Sequence, residues 1–265
     1  MPTRLPTYFI SHGGGPWPWL PEMRAQMHTL ETSLANMPKE IGQTPSAILM
    51  ISGHWEADDF AVMSSPAPPM VYDYGGFPPF TYQIKYASPG APKIAERTAE
   101  LLKTANLPTH LDSTRGYDHG VFAPMQVMYP AANVPLLQVA INHNYDPAQH
   151  LALGRALAPL RDEGVLIVGS GLSYHNMRGF GLQGKHPSAQ FDAWLNDAMM
   201  SEPAKRTTSL LNWEQAPSAR LCHPQEDHFI PLMAAVGAAE SEKATRVYHD
   251  TAVFGNITAS SYRFG

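Results

Sequence analysis

The chain has 265 residues, 44% of them hydrophobic, with a formal net charge of -5 and only 15% charged residues. That is enough apolar material to bury a full core as one domain over residues 1–265, and it leaves no basic stripe to follow a nucleic-acid backbone. A lone Cys222 excludes an intrachain disulfide and a thiolate-rich zinc cage, so any metal must be held by nitrogen and oxygen, from a stock that includes 12 histidines.

In chain order, Met1-Pro2-Thr3-Arg4 lacks the apolar core of a secretion signal, and no apolar run approaches the length that spans a bilayer, so a cytoplasmic protein is expected. Thr7 to Ser11 reads as a buried strand that ends at His12. The glycines that follow, Gly13-Gly14-Gly15-Pro16, lack the Gly-Lys-Ser/Thr ending of a phosphate loop. Ala47 to Ser52 is a second strand and runs into Gly53-His54. The stretch around Pro66 to Tyr86 carries Tyr72, Tyr74, Phe77, Phe80 and Tyr82; it is too apolar for a solvated linker and reads as an ordered loop beside a site.

Pro92 to Asn106 and Pro147 to Arg161 have helical spacing, and they alternate with strands at Leu136 to Ile141 and Val165 to Gly169. Pro224 suits a first helical position, with Glu226 and Asp227 at its positive start and Phe229, Ile230 and Met233 as an apolar face, which places His228 in an early helical turn. Thr245 to Phe254 and Thr258 to Phe264 alternate as two late strands, expected antiparallel at a sheet edge.

The order strand, helix, strand predicts an α/β fold with a largely parallel central sheet flanked by helices. Ligands collect at the carboxyl ends of such strands, where His12, His54 and His175 would emerge. Gly169-Ser170-Gly171 lacks the third glycine of a dinucleotide fingerprint, and no Gly-x-Ser-x-Gly elbow occurs. His223 and His228 are five apart, roughly 140° around a regular helix, so they cannot both face one ion from it. His28, His110, His143, His150, His186 and His249 are expected mostly at the surface or in loops, and His223 as a helix cap or a support to the site.

Seven motifs in order then match a family. Ser11-His12-Gly13, Ser52-Gly53-His54-Trp55, Tyr72-Asp73-Tyr74-Gly75-Gly76-Phe77-Pro78, Tyr86-Ala87-Ser88-Pro89-Gly90, Gly116-Tyr117-Asp118-His119-Gly120, Ser170-Gly171-Leu172-Ser173-Tyr174-His175-Asn176 and Asp227-His228-Phe229-Ile230-Pro231-Leu232 resemble the class III extradiol ring-cleavage dioxygenases, closest to the branch of 4,5-DOPA extradiol dioxygenase, over nearly the whole chain. The resemblance implies non-haem metal, a catechol substrate and dioxygen. It implies His12, His54 and His228 as metal ligands, His175 as acid/base or fourth ligand, and His119 as a second active-site histidine. The protocatechuate branch has a glutamate where His228 stands, so the donor set here lacks the carboxylate that goes with a preference for iron.

Neutral imidazoles leave the charge of a divalent ion uncompensated, which a deprotonating catechol can balance while binding through two oxygens. Ferrous iron can pass electron density to dioxygen and zinc cannot, so iron is expected for turnover, with zinc an alternative occupant of purified protein. An imidazole at His175 can take a proton and return it near neutrality. Tyr72, Tyr74 and Phe77 are candidates to meet the substrate ring, and Asp73 or Arg178 to read a charged substituent. Two alternatives stay open: a zinc hydrolase with Glu226 as general base, and a non-catalytic binding protein on the same scaffold. The expected partners are small molecules, and a homo-oligomer is compatible with the composition.

Overall fold

A strand covered on both faces must be apolar at consecutive rather than alternate positions, and such runs make the centre of this molecule. The computed structural model describes residues 4–265. Its strands are Thr7–Ser11 (β1), Ala47–Ala57 (β2), Val62–Met63 (β3), Leu111–Asp112 (β4), Leu136–Asn142 (β5), Val165–Gly171 (β6), Ala244–Val253 (β7) and Ile257–Phe264 (β8). Among the described residues they form one sheet in the order β4-β3-β5-β2-β6-β1-β8-β7. The inner four, β5-β2-β6-β1, are parallel to one another, and β1, β5 and β6 are buried along their whole length. The last two strands pair antiparallel with each other, and β8 with β1, at one edge, as their alternating pattern predicts. β3 pairs antiparallel with β5 at the other side.

Helices cover both faces. Along β6, Gly169 and Gly171 point to one side, where a Cβ would meet the carbonyl oxygens of Pro231 and His228, and Ser170 points to the other, where its hydroxyl donates to the Gly120 carbonyl. The helix Pro231–Gly237 therefore packs on one face and the helix His119–Met128 on the opposite one. No helix of the described residues is long and apolar enough to cross a membrane.

Three predicted details differ. The helix expected to begin at Pro224 begins at Pro231; residues 224–230 form turns. Pro231 is the reason: inside a longer helix it would delete a hydrogen bond to Asp227, whereas as a first helical residue it loses nothing. β2 does not stop at Ser52 but continues to Ala57 through a register shift between Ile51 and Glu56, so His54 sits in that irregular stretch rather than beyond a strand end. The helix predicted to Arg161 changes at Ala158 to a 3-10 turn, Ala158–Arg161, where Pro159 cannot continue the helical ladder.

Candidate active site

The functional side chains come from the residues that follow β1 and β6, from the irregular stretch of β2, and from the start of one helix and the turn ahead of another. His12 follows β1; its N–H donates to the Gly171 carbonyl at 3.2 Å, and its own carbonyl accepts from Trp17 Nε1 at 2.8 Å. Gly13 then turns the chain at φ +80°, where a Cβ would also strike the Trp17 indole. His119 opens the helix His119–Met128, and His175 lies beyond β6 with its N–H donating to the Cys222 carbonyl at 2.9 Å. His228 sits in the turn ahead of the helix Pro231–Gly237, and its carbonyl accepts from Leu172 N–H at 3.0 Å. That turn reaches the strand ends only because glycine faces it twice. A Cβ at Gly171 would stand 2.0 Å from the His228 oxygen, and one at Gly53 2.7 Å from the Asp227 oxygen.

These positions bring five imidazoles into one cluster. Ring centroids lie 5.0 Å apart for His12 and His54, 5.1 Å for His12 and His228, and 4.5 Å for His54 and His228. His175 stacks on His228 at 3.4 Å, and His119 lies 4.0 Å from His54. Two carboxylates hold the rings from behind. Asp227 accepts from His228 Nδ1 at 2.7 Å and stands 3.8 Å from His175 Nδ1, too far for a hydrogen bond. Asp73 accepts from both the backbone N–H and Nδ1 of His119, at 3.0 and 2.8 Å, and its other oxygen lies 3.2 Å from His54 Nδ1. A third carboxylate, Asp118, is fully buried between the Ser52 hydroxyl at 2.8 Å and Arg115 at 2.6 Å; the same guanidinium donates to the His54 carbonyl at 3.1 Å and so ties β2 to the start of the helix.

The donor chemistry fits a metal ion. Both ring nitrogens of His12 are buried without a hydrogen-bond partner. With His228 Nδ1 donating to Asp227, its Nε2 presents a lone pair, and it faces His54 Nε2 at 3.0 Å. Nitrogens that share one ion at about 2.1 Å each lie about 3 Å apart, and a cation converts the repulsion of facing lone pairs into attraction. Burial and the neighbouring imidazoles push His12 and His54 far below the ordinary histidine range; burial pushes His228 down to about 4 although Asp227 opposes it. Burial raises the Asp73 and Asp227 carboxyls, but their histidine partners outweigh it and hold both below the usual range. Neutral imidazoles backed by ionised carboxylates are the protonation states that ligation requires.

The cluster floors a cavity of about 620 Å³. Of the aromatic residues expected beside a substrate, Tyr74 and Phe77 line it and Tyr72 does not: the Tyr72 hydroxyl is turned to the Ile84 carbonyl at 2.6 Å. Phe80 is half-exposed, and Arg178 is exposed and off the cavity wall. Asp73 is on the wall, with its oxygens engaged by histidines. Glu226, the candidate base of a hydrolase, is off it too and accepts from Arg220 at 2.7 Å. His150, expected at the surface or in a loop, is buried, and so is His223, expected as a helix cap or a support to the site. His223 packs among Phe191, Trp213 and Phe229, with its Nε2 3.1 Å from the Ser173 carbonyl, on the segment that leads to His175. Sequence reasoning missed Met23, Met177, Phe180 and Phe254 on the wall, none of which stands in a histidine motif.

Residues 6–265 match the family model described as the catalytic LigB subunit of aromatic ring-opening dioxygenase. A 4,5-DOPA dioxygenase extradiol from Beta vulgaris is 37% identical over 97% of this chain and 96% of its own length. One of the same name from Escherichia coli (strain K12) is 31% identical over 99% of this chain and 96% of its own. A crystal structure of an uncharacterised Escherichia coli K12 protein superposes with a TM-score of 0.80 at 27% identity, covering 99% of this chain and 100% of that one.

Proposed function

The chain belongs to the LigB family of aromatic ring-opening dioxygenases, and from that premise we propose that it is an extradiol dioxygenase that opens a substituted catechol to a semialdehyde, with His12, His54 and His228 holding a ferrous ion. The observation that carries this is the orphaned pair of nitrogens on buried His12, set against the facing Nε2 atoms of His54 and His228. When bound, ferrous iron supplies chelation of the two catechol oxygens and a path for ring electrons to dioxygen.

The rest falls to the chain's own groups. His175 lines the cavity beside His228 and is the base for a catechol hydroxyl proton, which it later returns to the opening ring. His119, its Nδ1 donating to Asp73 and its ring beside His54, presents its other nitrogen to the substrate or to oxygen. Tyr74, whose ring meets His119 edge-on at 5.8 Å while its hydroxyl is spent on the Thr81 carbonyl, offers an apolar face to the catechol ring. Both oxygen atoms enter the product, so no outside reductant is called for.

The test is anaerobic loading with ferrous iron, then a panel of catechols under oxygen. Oxygen uptake with a yellow ring-opened product is expected, and none with zinc alone. Turnover sustained by zinc, or no uptake with iron verified in the site, would overturn the assignment.

A further inference from the structure

We infer that the outer wall of the cavity selects catechols with an apolar ring substituent over those with an ionised carboxylate; the inference presupposes that catechols are the substrates. Beyond the histidine floor the wall is built from Met23, Phe77, Met177, Phe180 and Phe254. Glycines make room for two of these rings: a Cβ at Gly15 would lie 2.7 Å from the Phe77 ring, and one at Gly14 3.1 Å from that of Phe254. Phe254 comes from the turn between β7 and β8, at the far edge of the sheet, and adopts φ +48°, a left-handed conformation rare for a bulky residue. Its ring meets Phe180 at 5.0 Å. Met177 carries the apolar surface outward, 71% exposed at the rim.

Charge runs the same way. No lysine or arginine of the described residues lines this cavity, and its one carboxylate is Asp73. A substituent anion would exchange water for aromatic edges and thioethers with no cation to meet it, whereas an alkyl chain gains by burial against the same groups.

The experiment compares 4-propylcatechol with 3-(3,4-dihydroxyphenyl)propanoate, of closely similar length. Binding to iron-loaded protein is measured anaerobically by calorimetry, and kcat/KM with an oxygen electrode. The propyl compound should bind at least about tenfold more tightly, the low end of what a single methylene is worth in an apolar pocket. Phe254→Ala should weaken the propyl compound alone. Met177→Arg, a change at an exposed position, should strengthen the propanoate. Equal or tighter propanoate binding, or no change in either variant, overturns the inference. If the propyl compound binds preferentially but no catechol consumes oxygen, the dioxygenase activity fails and the selective wall stands; oxygen uptake with the propanoate preferred has the opposite meaning.

Discussion

Gly53→Ala probes the site through a single methyl group on the strand behind it. The new Cβ would stand 2.7 Å from the Asp227 carbonyl oxygen and 3.2 Å from His228 Cα, where ordinary contact begins at 3.4 Å. The turn must therefore retreat by about 0.7 Å, and it carries both His228 and the carboxylate that orients it. Metal–ligand distances tolerate about 0.2 Å, so the displacement exceeds what the site can absorb at unchanged affinity. We expect metal affinity to fall about 10- to 100-fold, the usual effect of disturbing the groups behind a ligand, with an overpacking penalty of about 1–3 kcal/mol in stability. Competitive chelator titration under anaerobic conditions measures the first, and urea unfolding of the metal-free protein the second. Gly75→Ala is the control, because a Cβ there meets nothing within 4 Å. A folded Gly53→Ala protein that holds metal as tightly as the parent would refute the close-approach reasoning.

Asp227→Asn removes the carboxylate that accepts from His228 Nδ1 at 2.7 Å, and metal affinity should drop by about tenfold or more with the fold intact by circular dichroism. His175→Ala should slow turnover about 10²- to 10⁴-fold while metal stoichiometry is kept; loss of the metal instead would make His175 a ligand. Away from the site, His150 is held neutral, accepting from Asn142 N–H at 3.0 Å and donating to the Asp146 carbonyl at 2.7 Å, and burial pushes it from 6.5 down to about 4. The unfolded chain takes up this proton as pH falls through 6.5 and the folded chain only near 4, so the His150 contribution is complete above 6.5 and lost between those values, about 3 kcal/mol in all. Urea unfolding of His150→Gln, which keeps polar groups without the titration, should show a correspondingly shallower loss across that window; an unchanged slope would contradict the burial argument.

The legible parts of the fold were those written in local pattern. β1, β5 and β6 are short, mostly apolar and wholly buried, and β1 and β6 run out into serine and glycine ahead of His12 and His175, so strand and site position could be read together there. What could not be read depends on contacts distant in sequence. The shift in β2 that carries His54 depends on its pairing with β5 some eighty residues on. Phe254 reaches the cavity because Gly14, at the opposite end of the chain, leaves room for its ring. Asp73 looked free to read a substituent, yet its oxygens are taken by His119 and lie beside His54, partners that only the folded chain supplies. The start at Pro231 was available in the sequence: proline at 231 competes with proline at 224, and a helix from the earlier one would have had to run through the later.

The most direct measurement is ferrous-ion stoichiometry and affinity in the parent chain and in His12→Ala, His54→Ala and His228→Ala, each first shown to be folded. One ion per parent chain, lost in all three variants, is the predicted result. A variant that keeps the ion at parental affinity would remove that imidazole from the site, and retention in all three would contradict a shared metal centre.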